Sequence, residues 1–187
     1  MKHLSLQTIV LFFSASLLFA SCKKEDGHDH DEEVITHFTL VFTPQGGGAP
    51  LSFGFVDPDG PGGIAPTQDQ IQLSANSVYT VTLEISNNSV NPPVDIAEEI
   101  EEEGEAHRFY FEPSAGSGIT VTGLDTDIDG LPLGLNSTWT TTNAGNGTVR
   151  VVLRHYGGNP PNKAETDPVN SNKSSTDVDL NFTTVVQ

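Results

Sequence analysis

The sequence predicts an all-β fold: an antiparallel β-sandwich of immunoglobulin-like type with one short acidic helix inserted. Three observations predict it. Short runs of alternating apolar and polar residues recur from Val34 onward, the period of a half-buried strand. Clusters of Gly, Pro, Asn and Asp punctuate those runs, as turns require. Only one segment, 94–106, carries helical spacing, with Ile96 and Ile100 one turn apart. The disulfide and tryptophan spacing of antibody domains is absent, so the likeness is architectural.

The elements follow in chain order. Val34, Thr36, Phe38, Leu40 and Phe42 alternate with Ile35, His37, Thr39, Val41 and Thr43, and 44–48 forms a turn into a second strand at 51–56. These two strands make a hairpin. A Gly/Pro-rich loop leads to 70–73. A strand at 77–86 places Tyr79, Val81, Leu83 and Ile85 on one face. Pro92-Pro93 opens the helix, since a proline at a helix start gives up only an N–H that would be unpaired anyway. Strands follow at 107–112, 118–124, 137–142 and 148–156, with Val149, Val151 and Leu153 inward. The polar stretch 157–175 is a long loop, and 177–186 closes the domain.

Ahead of this body lie a leader and a tether, giving a division into 1–21, 22–33 and 34–187. Lys2 and His3 precede an uncharged run from Leu4 to Ala20, then small residues and the chain's single cysteine, Cys22. A basic start, an apolar stretch and a small-residue cut site make an export signal, too short for a comfortable membrane span. One cysteine cannot form an internal disulfide. Segment 17–26 resembles the lipobox of bacterial lipoproteins, in which Cys22 would be acylated and become the mature N-terminus. Phe19 is larger than the usual residue there, a feature that lipoproteins of Bacteroidota tolerate. Several acyl chains at ~0.8 kcal/mol per buried methylene would hold the protein stably on a lipid bilayer. Lys24-Glu25-Asp26 resembles the surface-export signal of the same lipoproteins, which points to the outer face of the outer membrane, with its periplasmic face the alternative.

The net charge of −17 excludes nucleic acid and electrostatic docking on anionic lipid, and favours cations or basic partners. About half the acids fall in 25–33 and 95–105. Within the tether, His28 and His30 interleave with Asp29 and Asp31; imidazole and carboxylate together suit zinc, copper or nickel, and a solvated acidic spacer is the plainer reading. In the helical segment, Glu99 and Glu103 lie one turn apart, where like charges repel, and His107 follows. A bound cation would relieve that repulsion; a solvated acidic face is the alternative. Asp125, Asp127 and Asp129 with Gly130 match the first half of a calcium loop, although Asn136 stands where an EF-hand places its glutamate. A self-capped Asp-rich turn fits the same residues. His37 and His155 read as core or rim histidines. No nucleophile–base arrangement, phosphate-binding glycine loop or HExxH occurs, so a non-catalytic role is expected.

Segment 43–50, the Glu-rich run into His107-Arg108-Phe109-Tyr110-Phe111, 132–135 and 151–155 are similar to a family of small Bacteroidota lipoproteins, over nearly the whole mature chain. The resemblance implies a companion of a TonB-dependent outer-membrane receptor. Some members carry the label "type 1 periplasmic binding fold", a two-lobed α/β architecture that a short β-rich chain cannot build. The expected function is a membrane-anchored binding module, capturing a divalent metal ion for such a receptor. The rivals are a protein- or glycan-binding surface module and a structural envelope lipoprotein.

Overall fold

The computed structural model describes residues 34–60 and 62–187. Cys22, His28, Asp29, His30 and Asp31 lie outside the described residues. The compact unit Glu32–Gln187 carries the entire hydrophobic core that follows.

Two sheets face each other. The larger runs β3 (Thr67–Gln68), β2 (Leu51–Val56), β1 (His37–Pro44), β5 (Val78–Asn87), β9 (Asn136–Thr141), β8 (Ile119–Thr122), with β6 (Val94–Asp95) also paired to β5. The smaller runs β4 (Ile71–Leu73), β11 (Ser174–Val186), β10 (Gly145–Tyr156), β7 (His107–Pro113). The predicted hairpin forms, β1 against β2, with Leu40 opposite Phe53. Every pairing is antiparallel except β4 with β11, which run parallel. The fold is thus the expected all-β sandwich with one short helix.

Alternation decides which side chains meet between the sheets. Phe38, Leu40 and Phe42 of β1, Val81, Leu83 and Ile85 of β5, and Trp139 of β9 point inward and are buried. Phe109 of β7, Val149, Val151 and Leu153 of β10, and Phe182 of β11 meet them. Rings lock the layers: Phe38 lies 6.1 Å from Phe109 and 6.4 Å from Phe182, and Trp139 contacts Phe42 at 5.1 Å and Phe111 at 5.7 Å. The indole N–H donates to Ser137 Oγ at 3.0 Å, so burial leaves no orphan donor. On the opposite face of the large sheet, Thr43, Thr80, Thr138 and Thr122 stand in one rank across four strands, the surface that β-branched polar residues favour.

The helix differs from expectation. It is α1 (Ile96–Glu102), shorter than 94–106 at both ends. Val94 and Asp95 pair with Asn87 and Ser86 instead of continuing from the prolines. The Asp95 carboxylate then caps the helix, accepting from the Ala97 and Glu98 amides at 3.0 and 3.3 Å. At the far end the chain leaves the helix at Glu103 and turns through Gly104. Ile96 and Ile100 dock the helix on the core.

Segment 157–173 carries no strand of its own, as expected of a long loop, and it is well fixed. It lies as a strap across the outer face of the small sheet. Arg108 donates to the Ala164 and Glu165 carbonyls at 3.2 and 2.9 Å, and the Tyr110 hydroxyl donates to the Asp167 carbonyl at 2.9 Å. Arg154 reaches the Ser171 carbonyl at 2.9 Å. Beneath the strap Val152 and Tyr156 are each 1% exposed, although they point away from the core.

Candidate metal centre

Register brings two histidines together. His107 opens β7, and His155 lies next to the end of β10. They are direct cross-strand partners, with ring centroids 4.5 Å apart. Both continue the inward set of their strands, His107 in phase with Phe109 and His155 with Leu153. The rings therefore sit at one end of the sandwich, His107 only 1% exposed and His155 half-buried.

The helix end supplies the third group. Glu103 terminates α1, its amide bonding the Glu99 carbonyl at 3.0 Å. Two tight turns then connect it to β7, Ala106 N–H to the Glu103 carbonyl at 2.8 Å and His107 N–H to the Gly104 carbonyl at 3.2 Å. This folds the chain so that Glu103, four residues before His107, lies beside the ring. Donor atoms of Glu103, His107 and His155 all lie within 4.8 Å of one another. Atoms bonded to one tetrahedral zinc stand roughly 3.4 Å apart, so modest side-chain rotation would bring these three into coordination.

The tautomer of His107 favours ligation. Its Nδ1 lies 3.1 Å from the Glu103 carbonyl oxygen, which can only accept. In the neutral ring Nδ1 therefore carries the hydrogen and Nε2 the lone pair, the pattern by which a backbone carbonyl orients a metal-ligating imidazole. Two imidazoles and a carboxylate suit zinc, copper or nickel; calcium prefers an all-oxygen shell.

Of the expected ligands, Glu103 and His107 are thus brought together. Glu99, one turn earlier, is exposed and lies outside the cluster. His155, read from sequence only as a core or rim histidine, completes it. The signal that would have found it is the β7–β10 register, which alternation within a single strand does not reveal.

The Asp-rich segment is committed to protein donors. Asp125 accepts from the Gly134 amide at 2.7 Å and from Asn136 Nδ2 at 2.9 Å. Asp127 Oδ1 accepts from the Asp129 and Leu131 amides at 2.9 and 2.8 Å, an Asx turn. Its Oδ2 pairs with the Lys163 ammonium at 2.6 Å, both side chains 1% exposed. Asp129 is exposed. The D-x-D-x-D-G pattern therefore builds a self-capped turn closed by a lysine.

Lys163 is the residue sequence reasoning missed, because a lone lysine in a polar stretch carries no signal. From the strap its Nζ donates to the carbonyls of Gly104 at 2.5 Å, His107 at 2.8 Å and Pro132 at 3.3 Å. Burial pulls the amine below the usual lysine value, opposed by Asp127. Burial also pushes the Asp127 carboxyl upward, but Lys163 and the two amides outweigh it and hold the group below the usual range. Four acceptors around one nitrogen fit only the protonated amine. Removing one partner of such a pair costs about 3–5 kcal/mol, because the other charge stays buried.

Outside this region, an open groove of about 590 Å³ lies at the opposite end of β1 and β5, lined by Gln45, Asn76, Tyr79 and their neighbours. Over residues 34–187 there are nineteen acids and only five bases. Arg108, Arg154, Lys163 and Lys173 hold the strap, and Arg150 is paired with Glu112 and Asp179 at 2.8 and 2.7 Å. Comparison with known protein families, curated proteins and solved structures finds no match. Among the described residues no helix is long and apolar enough to cross a membrane.

Proposed function

We propose that this protein is a lipid-anchored, non-catalytic binding module that captures a divalent transition-metal ion, holding it at Glu103, His107 and His155 for a partner outer-membrane receptor. The convergence of those three side chains within 4.8 Å carries the reading. Two neutral imidazoles and one carboxylate give a site of one formal negative charge, leave a coordination position open, and select against calcium. The exposed Glu103 marks the route of entry and exit. The surplus of acids over bases raises the local concentration of cations around that opening. The Bacteroidota lipoprotein resemblance supplies the anchoring at Cys22 and the receptor of TonB-dependent type.

Titration calorimetry on Glu32–Gln187, without the His28/His30 tether, tests the site directly. Zinc, copper or nickel should bind at one equivalent with release of heat, and calcium should not. His155→Ala should weaken the tightest of these at least tenfold while leaving the fold intact. Absence of heat from all three metals would leave the groove at the opposite end of the sandwich as the better candidate, for a protein or glycan ligand.

A further inference from the structure

We infer that Lys163 is a positioning residue of the metal centre: from the strap, its ammonium clamps the two backbone carbonyls that set where Glu103 and His107 point. This rests on the metal-binding reading above. The carbonyl of Gly104 belongs to the residue following Glu103, and that of His107 to a ligand itself. One buried nitrogen thus holds both ends of the ligand-bearing turn 103–107. The same turn is tied to the third ligand's strand, because the Tyr156 amide donates to the Ala106 carbonyl at 2.7 Å.

Space as well as hydrogen bonding confines the turn. A Cβ built on Gly104 would stand 3.2 Å from Asp127 Cβ and 3.2 Å from the Glu101 carbonyl oxygen. The turn therefore rests directly on the Asp-rich loop, and Asp127 supplies the anion that lets a cation sit behind a cation-binding site. A neutral side chain at 163 would release the Gly104 and His107 carbonyls together. Glu103 and His107 would then have to be ordered by the metal instead of being presented to it. Removal of outer-shell partners of this kind typically lowers metal affinity about 10- to 100-fold.

The experiment uses cobalt(II), whose visible absorption reports both affinity and coordination geometry, on Glu32–Gln187. The double variant Lys163→Met/Asp127→Asn removes the ammonium without stranding a buried carboxylate. It should fold, bind cobalt at least tenfold more weakly, and show a shifted visible band. Tyr110→Phe is the control, since it loosens the strap at Asp167 without touching the turn; its cobalt affinity should stay within about twofold. If the double variant does not fold, Lys163→Arg takes its place. The larger fork cannot occupy the same slot without displacing the carbonyls, and the same loss and band shift are expected.

Unchanged affinity and spectrum in whichever of these variants folds would overturn the inference, as would an equal loss in Tyr110→Phe, which would trace the effect to general loosening. Absence of cobalt binding by the unaltered domain would instead overturn the metal-binding reading itself, so the two failures are distinguishable.

Discussion

Tyr110 joins the strap to the sheet through its hydroxyl, which lies 2.6 Å from the Tyr156 hydroxyl and donates to the Asp167 carbonyl. Burial first, and then the Tyr156 hydrogen bond, raise this phenol well above its ordinary value. An unfolded tyrosine ionises near pH ~10, whereas the folded one keeps its proton beyond that. The contribution to stability is therefore complete below about pH 10 and is lost as pH rises toward the folded value. Urea midpoints measured from pH 8 to 11 should hold and then fall, and Tyr110→Phe should flatten that fall. A variant falling as steeply as the parent would show that other groups dominate the alkaline limb. Lys163 acts in the opposite sense, since burial lowers its amine, so the comparison with the variant is what isolates the phenol.

At the level of elements, α1 is well started and poorly ended. Asp95 caps it and Glu98 and Glu99 follow in the first turn, all favourable to the macrodipole, while no basic residue occupies the last turn. Asp95→Ala should lower the unfolding free energy by about 1 kcal/mol, read as a shift in urea midpoint with unchanged slope. A larger loss would mean that β6 depends on the same side chain. The central strands were legible in the sequence because alternation of Phe38, Leu40 and Phe42, or of Val149, Val151 and Leu153, reports local geometry. The helix starts later than its prolines suggest, because prolines signal where a helix is permitted, and Asp95 and the β5 edge decide where it begins. The strap read as a plain loop: arginine and tyrosine contacts more than forty residues away in sequence hold it, and composition records none of them. Glu103 and His107 were visible for the same local reason as the strands, whereas His155 and Lys163 arrive by long-range register and by a reach across the fold.

For the molecule as a whole, the striking of a balance between acids and bases is one-sided, because every base among residues 34–187 is engaged within the domain. The surface left to solvent is anionic, which suits attraction of small cations. The anchoring half of the proposal is tested separately. Mass spectrometry of the protein recovered from membranes should find a mature N-terminus at Cys22 carrying acyl chains; an unacylated or differently placed N-terminus would remove the bilayer from the account.

The parallel pairing in the small sheet has a consequence for biogenesis. β11 stands between β4 and β10, and among the described residues β4 has no other neighbour in its sheet. A chain that leaves the ribosome in order has released the ten preceding strands of the described residues before that neighbour appears. Half of the sandwich then closes only after synthesis has passed Val186, through contacts spanning more than a hundred residues (Thr184 to Ile71 among them). Late closure of this kind makes for slow folding and leaves the emerging polypeptide open until its last strand is made.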